Sequence, residues 1–154
     1  MIIKFSITNF GPIRETQTLD FEAEKSVHLE DYYVRQMAGH RILKAALLFG
    51  ANASGKTNVL KALDCLRKLA TIPAISKTAP IDCEPFLMDN ESRLKPTEFE
   101  IDFIQNNNVY RYTIRLDRQC VIYERLRSQS RRRIVYTRTT DVNSQLTKIE
   151  FGED

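Results

Sequence analysis

Long apolar runs are missing from this 154-residue chain. The longest, Ala45 to Phe49, is strand-sized, bounded by Lys44 and Gly50, and far short of the roughly 18 residues of a membrane span. The opening Met1-Ile2-Ile3-Lys4-Phe5 passes straight into alternation, without the basic region, hydrophobic stretch and cleavage site of a leader. The expectation is a cytoplasmic protein with no membrane partner. Glycine and proline number only five each, which excludes a collagen or a linker. The three cysteines, Cys65, Cys83 and Cys120, are too few for a disulfide scaffold. They are odd in number and far apart in sequence, which fits a reducing compartment and argues against a structural zinc site. They read as buried or surface thiols without chemistry. No repeat with a period of roughly 20 to 50 residues is visible.

What is present is globular. Hydrophobic residues make up 42% and charged residues 28%, material for about one domain with a modest core. The net charge of +3 is unevenly placed: residues 1–110 sum to −1, residues 111–138 to +7 through nine arginines, and the last sixteen to −3. A block that basic points to an anionic partner or an adjoining acidic surface.

Ile3, Phe5 and Ile7 alternate with Lys4 and Ser6, the period of a half-buried strand, and Asn9-Phe10-Gly11-Pro12 ends it. Thr16 to Phe21 follows as a second strand, Leu19 and Phe21 inward, pairing with the first as a hairpin. Residues 23–42 carry no assignable pattern. Lys44 to Phe49 reads as a strand buried on both faces of a parallel sheet. From Lys56 to Ala70, apolar residues recur every three to four positions, predicting an amphipathic helix stopped at Thr71-Ile72-Pro73. Four prolines make residues 71–97 an irregular connector, with Phe86-Leu87-Met88 expected to tuck onto the core. Five short segments, Phe99 to Gln105, Val109 to Leu116, Cys120 to Arg127, Arg133 to Thr139 and Gln145 to Phe151, then form an antiparallel meander joined by turn-rich breaks.

Chemistry concentrates at Gly50-Ala51-Asn52-Ala53-Ser54-Gly55-Lys56-Thr57. This is the eight-residue phosphate-loop pattern, placed after an apolar strand and at the start of a helix. Its glycines permit a tight loop whose N–H groups converge on phosphate oxygens, and the helix adds its positive end. Lys56 is expected to reach the β- and γ-phosphates of ATP, and Thr57 to ligate a bridging Mg²⁺.

The loop continues as Thr57-Asn58-Val59-Leu60-Lys61-Ala62-Leu63, which resembles the SMC/RecF-type branch of ABC ATPases. Phe5-Ser6-Ile7-Thr8-Asn9-Phe10-Gly11-Pro12-Ile13 resembles the first strand of that branch, and Phe99 to Arg127 resembles its first-lobe sheet. The match is most similar to stand-alone ATPases of phage-defence and abortive-infection systems, relatives of the OLD nucleases. The resemblance implies an α/β fold: a P-loop NTPase N-terminal lobe with a mixed sheet, one P-loop helix and an antiparallel β-meander. Residues 1–154 would be that lobe, with strands, loop and helix in 1–70, a connector in 71–98 and the antiparallel subdomain in 99–151. It also implies that Asn58 joins the loop, and that the turn after the first strand lies beside the nucleotide. Asn9, Phe10 and Arg14 are then candidate contacts, with a core aromatic the alternative for Phe10 and a surface charge for Arg14.

Hydrolysis in that family needs an acidic pair after a second buried strand, a Ser-Gly signature and a switch histidine. None is read here, so no catalytic residue is assigned to this chain. Val121-Ile122-Tyr123-Glu124 lacks the Asp-Glu pair and reads as a hairpin strand. His28 and His40 precede the loop and read as structural or surface residues. Gln105, Gln119, Gln129 and Gln145 are all open as a metal-facing glutamine. The resemblance implies an ATPase, a hydrolase acting in antiviral defence, completed by a C-terminal lobe and a second head in an ATP-dependent homodimer, and controlling a nuclease or DNA-directed effector. An alternative is a nucleic-acid or partner-binding module with a vestigial loop, in which Arg125, Arg127, Arg131, Arg132 and Arg133 contact DNA or RNA phosphates. A solvated face is the plainer reading of those arginines. A P-loop kinase or GTPase is weakened by the lack of an Asn-Lys-x-Asp sequence and of a lid-like arginine pattern.

Overall fold

A computed structural model describes residues 1–52, 54–72 and 79–152. Ala53 of the phosphate loop and Pro73 of the expected helix stop lie outside the described residues. The described residues form nine strands and three helices: β1 (Ile2–Thr8), β2 (Gln17–Asp20), α1 (Glu30–Tyr33), β3 (Val34–Met37), β4 (His40–Leu43), α2 (Lys56–Thr71), α3 (Asn90–Arg93), β5 (Thr97–Gln105), β6 (Asn108–Leu116), β7 (Val121–Ser128), β8 (Arg133–Thr140) and β9 (Thr147–Phe151). Among the described residues no helix is long and apolar enough to cross a membrane.

The main sheet has seven strands in the order β2-β1-β5-β6-β7-β8-β9. Every pairing in it is antiparallel. The mixed sheet expected from the sequence is therefore corrected to an antiparallel one. The meander from β5 to β9 matches the sequence expectation closely, because period-2 patterns and short turns are local signals. The pairing of β1 with β5, in which Phe5 faces Ile101 and Ile7 faces Phe99, spans about ninety residues of chain and is not a local signal.

One face of the sheet carries the main core. Phe5, Ile7, Phe99, Ile114, Leu116 and Tyr112 meet Ala62 and Leu66 of α2 there. Val59, Leu63, Cys65 and Leu69 widen the same helical stripe, as their spacing requires. A register shift between Ile2 and Lys4 turns Ile3 into a second cluster with Ile42, Ile104 and Val109. The unassigned stretch 23–42 folds as the short helix α1 and most of the β3–β4 ribbon, and its Met37, Ala38 and Ile42 belong to that cluster.

Two expectations fail. Lys44 to Phe49 is not a buried parallel strand. After Lys44 donates its N–H to Tyr33 the run has no strand partner, and Leu47 and Phe49 stand 79% and 86% exposed. A strand of this composition is buried only between two neighbours, and the antiparallel sheet offers it none. Phe86-Leu87-Met88 does not tuck inward as a unit, since Leu87 and Met88 are exposed and only Phe86 is half-buried.

Candidate functional site

The phosphate loop leads directly into α2. Gly55 is the N-cap residue at φ 91°, a left-handed conformation that glycine adopts without a Cβ penalty. Gly50 faces the other side of the loop, where an added Cβ would lie 2.8 Å from Ser54 Oγ. Ser54 N–H donates to Ala51 O at 3.3 Å, closing the turn. Asn58 and Val59 both donate to Gly55 O, at 2.9 and 3.3 Å, which starts the helical ladder. The first helical N–H groups, those of Lys56 and Thr57, are donors of the kind a helix start offers an anion.

Lys56 folds back over the loop. Its Nζ donates to Gly50 O at 2.8 Å and Ala51 O at 2.6 Å, with Ser54 Oγ at 3.4 Å. A phosphate would compete with those two carbonyls for the same ammonium. The residues present fit a nucleotide phosphate: a glycine-lined turn, a lysine aimed across it and an exposed Thr57 at the helix start. When bound, ATP·Mg²⁺ would bring the transferable phosphoryl group and its charge-neutralising ion. Among the described residues no three His, Cys, Asp or Glu side chains group to hold a metal.

The turn after β1 lies against this helix start. A Cβ on Gly11 would sit 3.8 Å from Asn58 Oδ1, and one on Gly55 would sit 4.0 Å from Pro12 Cγ. The side chains singled out in that turn are engaged elsewhere. Asn9 is buried, and its Nδ2 donates to the carbonyls of Ser92, Lys95 and Pro96 while its Oδ1 accepts from Phe86 N–H. Phe10 is a core aromatic, edge-on to Phe99 at 5.5 Å. Arg14 is exposed and pairs with Asp89 at 3.3 Å and Glu15 at 3.7 Å. In this arrangement Asn9 and Phe10 hold the turn in place, and Gly11 and Pro12 are what approach the loop.

Comparison with known families decides the class. The model of the AbiEii toxin-type AAA domain, type IV toxin–antitoxin system, matches residues 45–145. The chain belongs to this family of P-loop ATPases. No curated protein and no solved structure matches it significantly. The matched span of this AAA-type domain takes in the phosphate loop, α2 and strands β5 to β8. Nucleotide binding of the P-loop kind is the coarse function that follows.

The arginine block of the domain divides in two. On the sheet face opposite α2, Arg111 makes a two-pronged pair with Asp102, both bonds 2.7 Å, and approaches Glu100 at 3.5 Å. Arg115 pairs with Glu98 at 2.7 Å. Arg115 and Arg125 both lie against the Tyr123 ring, 5.5 and 5.9 Å from its centroid. Acids on β5 thus neutralise arginines on β6, a cancellation invisible until the register is known. Arg127, Arg131 and Arg132 make no ion pair among the described residues, and Arg131 to Arg133 sit at the β7–β8 hairpin tip.

Other candidates separate as well. His28 is exposed and His40 bonds Glu22 at 2.7 Å. Gln129 donates to Asp102 at 3.0 Å and Gln145 to Val142 O at 2.8 Å, while Gln105 is exposed at the end of β5 and Gln119 is exposed in the β6–β7 turn. Sequence reasoning missed a buried polar cluster. Glu124 Oε1 accepts from Tyr112 at 2.9 Å and Tyr136 at 2.6 Å, and its Oε2 faces Arg138 at 3.4 Å. Burial, then the Glu124 charge and hydrogen bond, raise the Tyr112 phenol above its ordinary value; burial followed by the Glu124 hydrogen bond does the same for Tyr136. It missed, too, that Cys65 and Cys83 meet. Cys65 Sγ donates to Asp82 O at 3.7 Å; the neighbouring Cys83 thiol holds Cys65 below its ordinary value, while Cys65 and then burial push Cys83 above its own.

Proposed function

We propose that this chain is the ATP·Mg²⁺-binding N-terminal lobe of an ABC-type, SMC/RecF-like ATPase head, and that it hydrolyses ATP only with a C-terminal lobe and a second head. The observation that carries the reading is the loop together with the run before it. Lys56 and the two loop glycines form a phosphate cradle, yet Ala45 to Phe49 enters it with no neighbouring strand. Apolar strands of that kind are covered when flanking parallel strands exist, and a complementary lobe is the natural source of them. ATP would then close two such heads into a homodimer, and hydrolysis would reset a nuclease or DNA-directed effector in antiviral defence.

The test is fluorescence anisotropy of a labelled ATP analogue with the purified chain, in Mg²⁺ and in EDTA, beside Lys56→Ala. Binding that Lys56→Ala removes, with turnover near the uncatalysed rate, supports the reading. Rapid turnover by residues 1–154 that Lys56→Ala abolishes overturns the need for a second lobe and head.

A second reading, a nucleic-acid-binding module, is favoured by Arg127, Arg131 and Arg132, which make no ion pair among the described residues. Filter binding over a salt series separates it: strong, steeply salt-dependent binding untouched by Lys56→Ala supports a module that works without nucleotide.

A further inference from the structure

Among the described residues the main sheet ends on β9, and every residue of that strand is exposed. β9 pairs β8 in unbroken register from Tyr136–Phe151 to Thr140–Thr147. At its two ends, Asp141 N–H donates to Leu146 O at 2.9 Å and Gly152 N–H donates to Val135 O at 3.0 Å. Backbone direction alternates along a strand, so Lys148 and Glu150 also face β8, while Thr147, Ile149 and Phe151 turn their N–H and C=O groups to the outer edge. Such an edge is a template for another strand.

Its side chains alternate as well. Tyr112, Leu126, Tyr136 and Phe151 stand opposite one another across β6 to β9. The first three belong to the main core or pack against it, whereas Phe151 is 78% exposed and Ile149 53%. An apolar row thus runs off the side of the sheet. On the other face of β9, Lys148 Nζ meets Glu150 Oε1 at 2.6 Å. The far edge of the sheet is less open. Just past β2, Leu43 N–H donates to Phe21 O and Ala23 N–H to Arg41 O, both at 2.8 Å, so β4 covers the continuation of that strand.

The run Thr147-Lys148-Ile149-Glu150-Phe151 is complementary to itself when reversed. Two copies laid antiparallel about Ile149 set Ile149 against Ile149, Thr147 against Phe151 and Lys148 against Glu150. The outward-facing Thr147, Ile149 and Phe151 then fall at the hydrogen-bonded positions. The Lys148–Glu150 pairs fall at the closer, non-hydrogen-bonded ones, where side chains interact best. Slipping the register by two residues sets Lys148 against Lys148 or Glu150 against Glu150, and slipping by one loses the backbone match.

We propose that β9 is the docking edge for a second copy of this chain, the two joined as an antiparallel strand pair about a two-fold axis at Ile149. The pairing is closed, because each copy uses its own β9 and leaves no further β9 edge to extend. A strand from another protein would meet the backbone groups, but it would have no reason to carry a glutamate opposite Lys148 and a lysine opposite Glu150. The inference is separate from the proposed function. β9 lies across the sheet from β1, whose following turn adjoins the phosphate loop, and the pairing needs no nucleotide.

Sedimentation equilibrium of the full chain, without nucleotide and with ATP·Mg²⁺, tests it. A reversible dimer is expected in both, with a Kd on the order of 10 μM, since a strand pair buries less than a standard interface. Ile149→Pro removes an N–H that faces outward in the single chain, a change an edge strand tolerates, and should abolish the dimer with little change in far-ultraviolet circular dichroism. Lys148→Glu and Glu150→Lys each set like charges opposite one another and should weaken the dimer about tenfold. An equimolar mixture of those two variants should recover it, because every cross-strand pair is again of opposite sign while the Lys148–Glu150 pair within each chain stays broken. A single chain at about a hundredfold above the expected Kd overturns the proposal, as does a dimer that Ile149→Pro leaves intact. Charge variants that leave the dimer unchanged, or a mixture that fails to recover it, overturn the register and the proposal with it. A dimer seen only with ATP·Mg²⁺ and lost in Lys56→Ala belongs to the phosphate loop; it overturns the β9 edge while supporting the pairing of heads. Failure to bind ATP overturns the proposed function and leaves the nucleotide-free dimer to stand or fall on its own.

Discussion

Thr97 donates its hydroxyl to the backbone carbonyl of Asn9 at 2.6 Å, joining the start of β5 to the turn that follows β1. The bond is buried on both sides. It closes a set in which every polar group of the Asn9 side chain is satisfied by the connector, so the position of the turn beside the phosphate loop depends on residues some eighty or more places away.

Asn9 adopts φ 54°, which asparagine tolerates better than other side-chain-bearing residues. Asn9→Gly keeps the conformation and loses the bonds, with an expected cost of about 1–3 kcal/mol. Asn9→Ala loses the bonds and adds backbone strain of about 1–2 kcal/mol. Urea unfolding of both variants should rank Ala below Gly; equal midpoints would show that the backbone carries no strain there.

Gly50→Ala places a methyl against Ser54 Oγ, and Gly55→Ala puts a side chain at φ 91°. Both changes act inside the loop, away from the buried core. ATP-analogue affinity is expected to fall by about tenfold or more, with a small change in Tm. Adding Ser54→Gly to Gly50→Ala should restore part of the affinity, because it removes the atom met.

Glu124→Gln keeps an acceptor for two tyrosines and removes the charge facing Arg138. The expected loss is about 1.5–3 kcal/mol by chemical denaturation. The phenols supply a sign. Their folded values are raised above the ordinary value near 10, so their contribution to stability is whole below pH 10 and is lost as pH rises from there through the folded values. Ultraviolet titration should find Tyr112 and Tyr136 ionising earlier in Glu124→Gln than in the parent.

Cys83 is buried and its thiol is raised, whereas Cys65 is half-buried and lowered by its neighbour Cys83. Iodoacetamide near neutral pH should therefore label Cys65 before Cys83, with Cys83 reacting on unfolding. Peptide mapping over time reads the order, and first labelling at Cys83 would contradict the arrangement.

The phosphate loop, α2 and the β5–β9 meander were legible in the sequence because each is encoded by neighbours in the chain: a contiguous motif, a helical stripe, alternation broken by turns. The sequence by itself also determined that the chain carries a nucleotide-binding motif and no membrane-length apolar run. Tertiary structure decided everything that depends on register between distant strands. It set Glu98 and Asp102 against Arg115 and Arg111, which cancels part of the basic block, and left Arg127, Arg131 and Arg132 without an ion pair among the described residues. It brought Cys65 to Cys83, engaged Asn9 inside the fold, and left Leu47 and Phe49 exposed. Hydrophobicity states that a residue gains by burial; only the presence of a partner surface states whether it is buried.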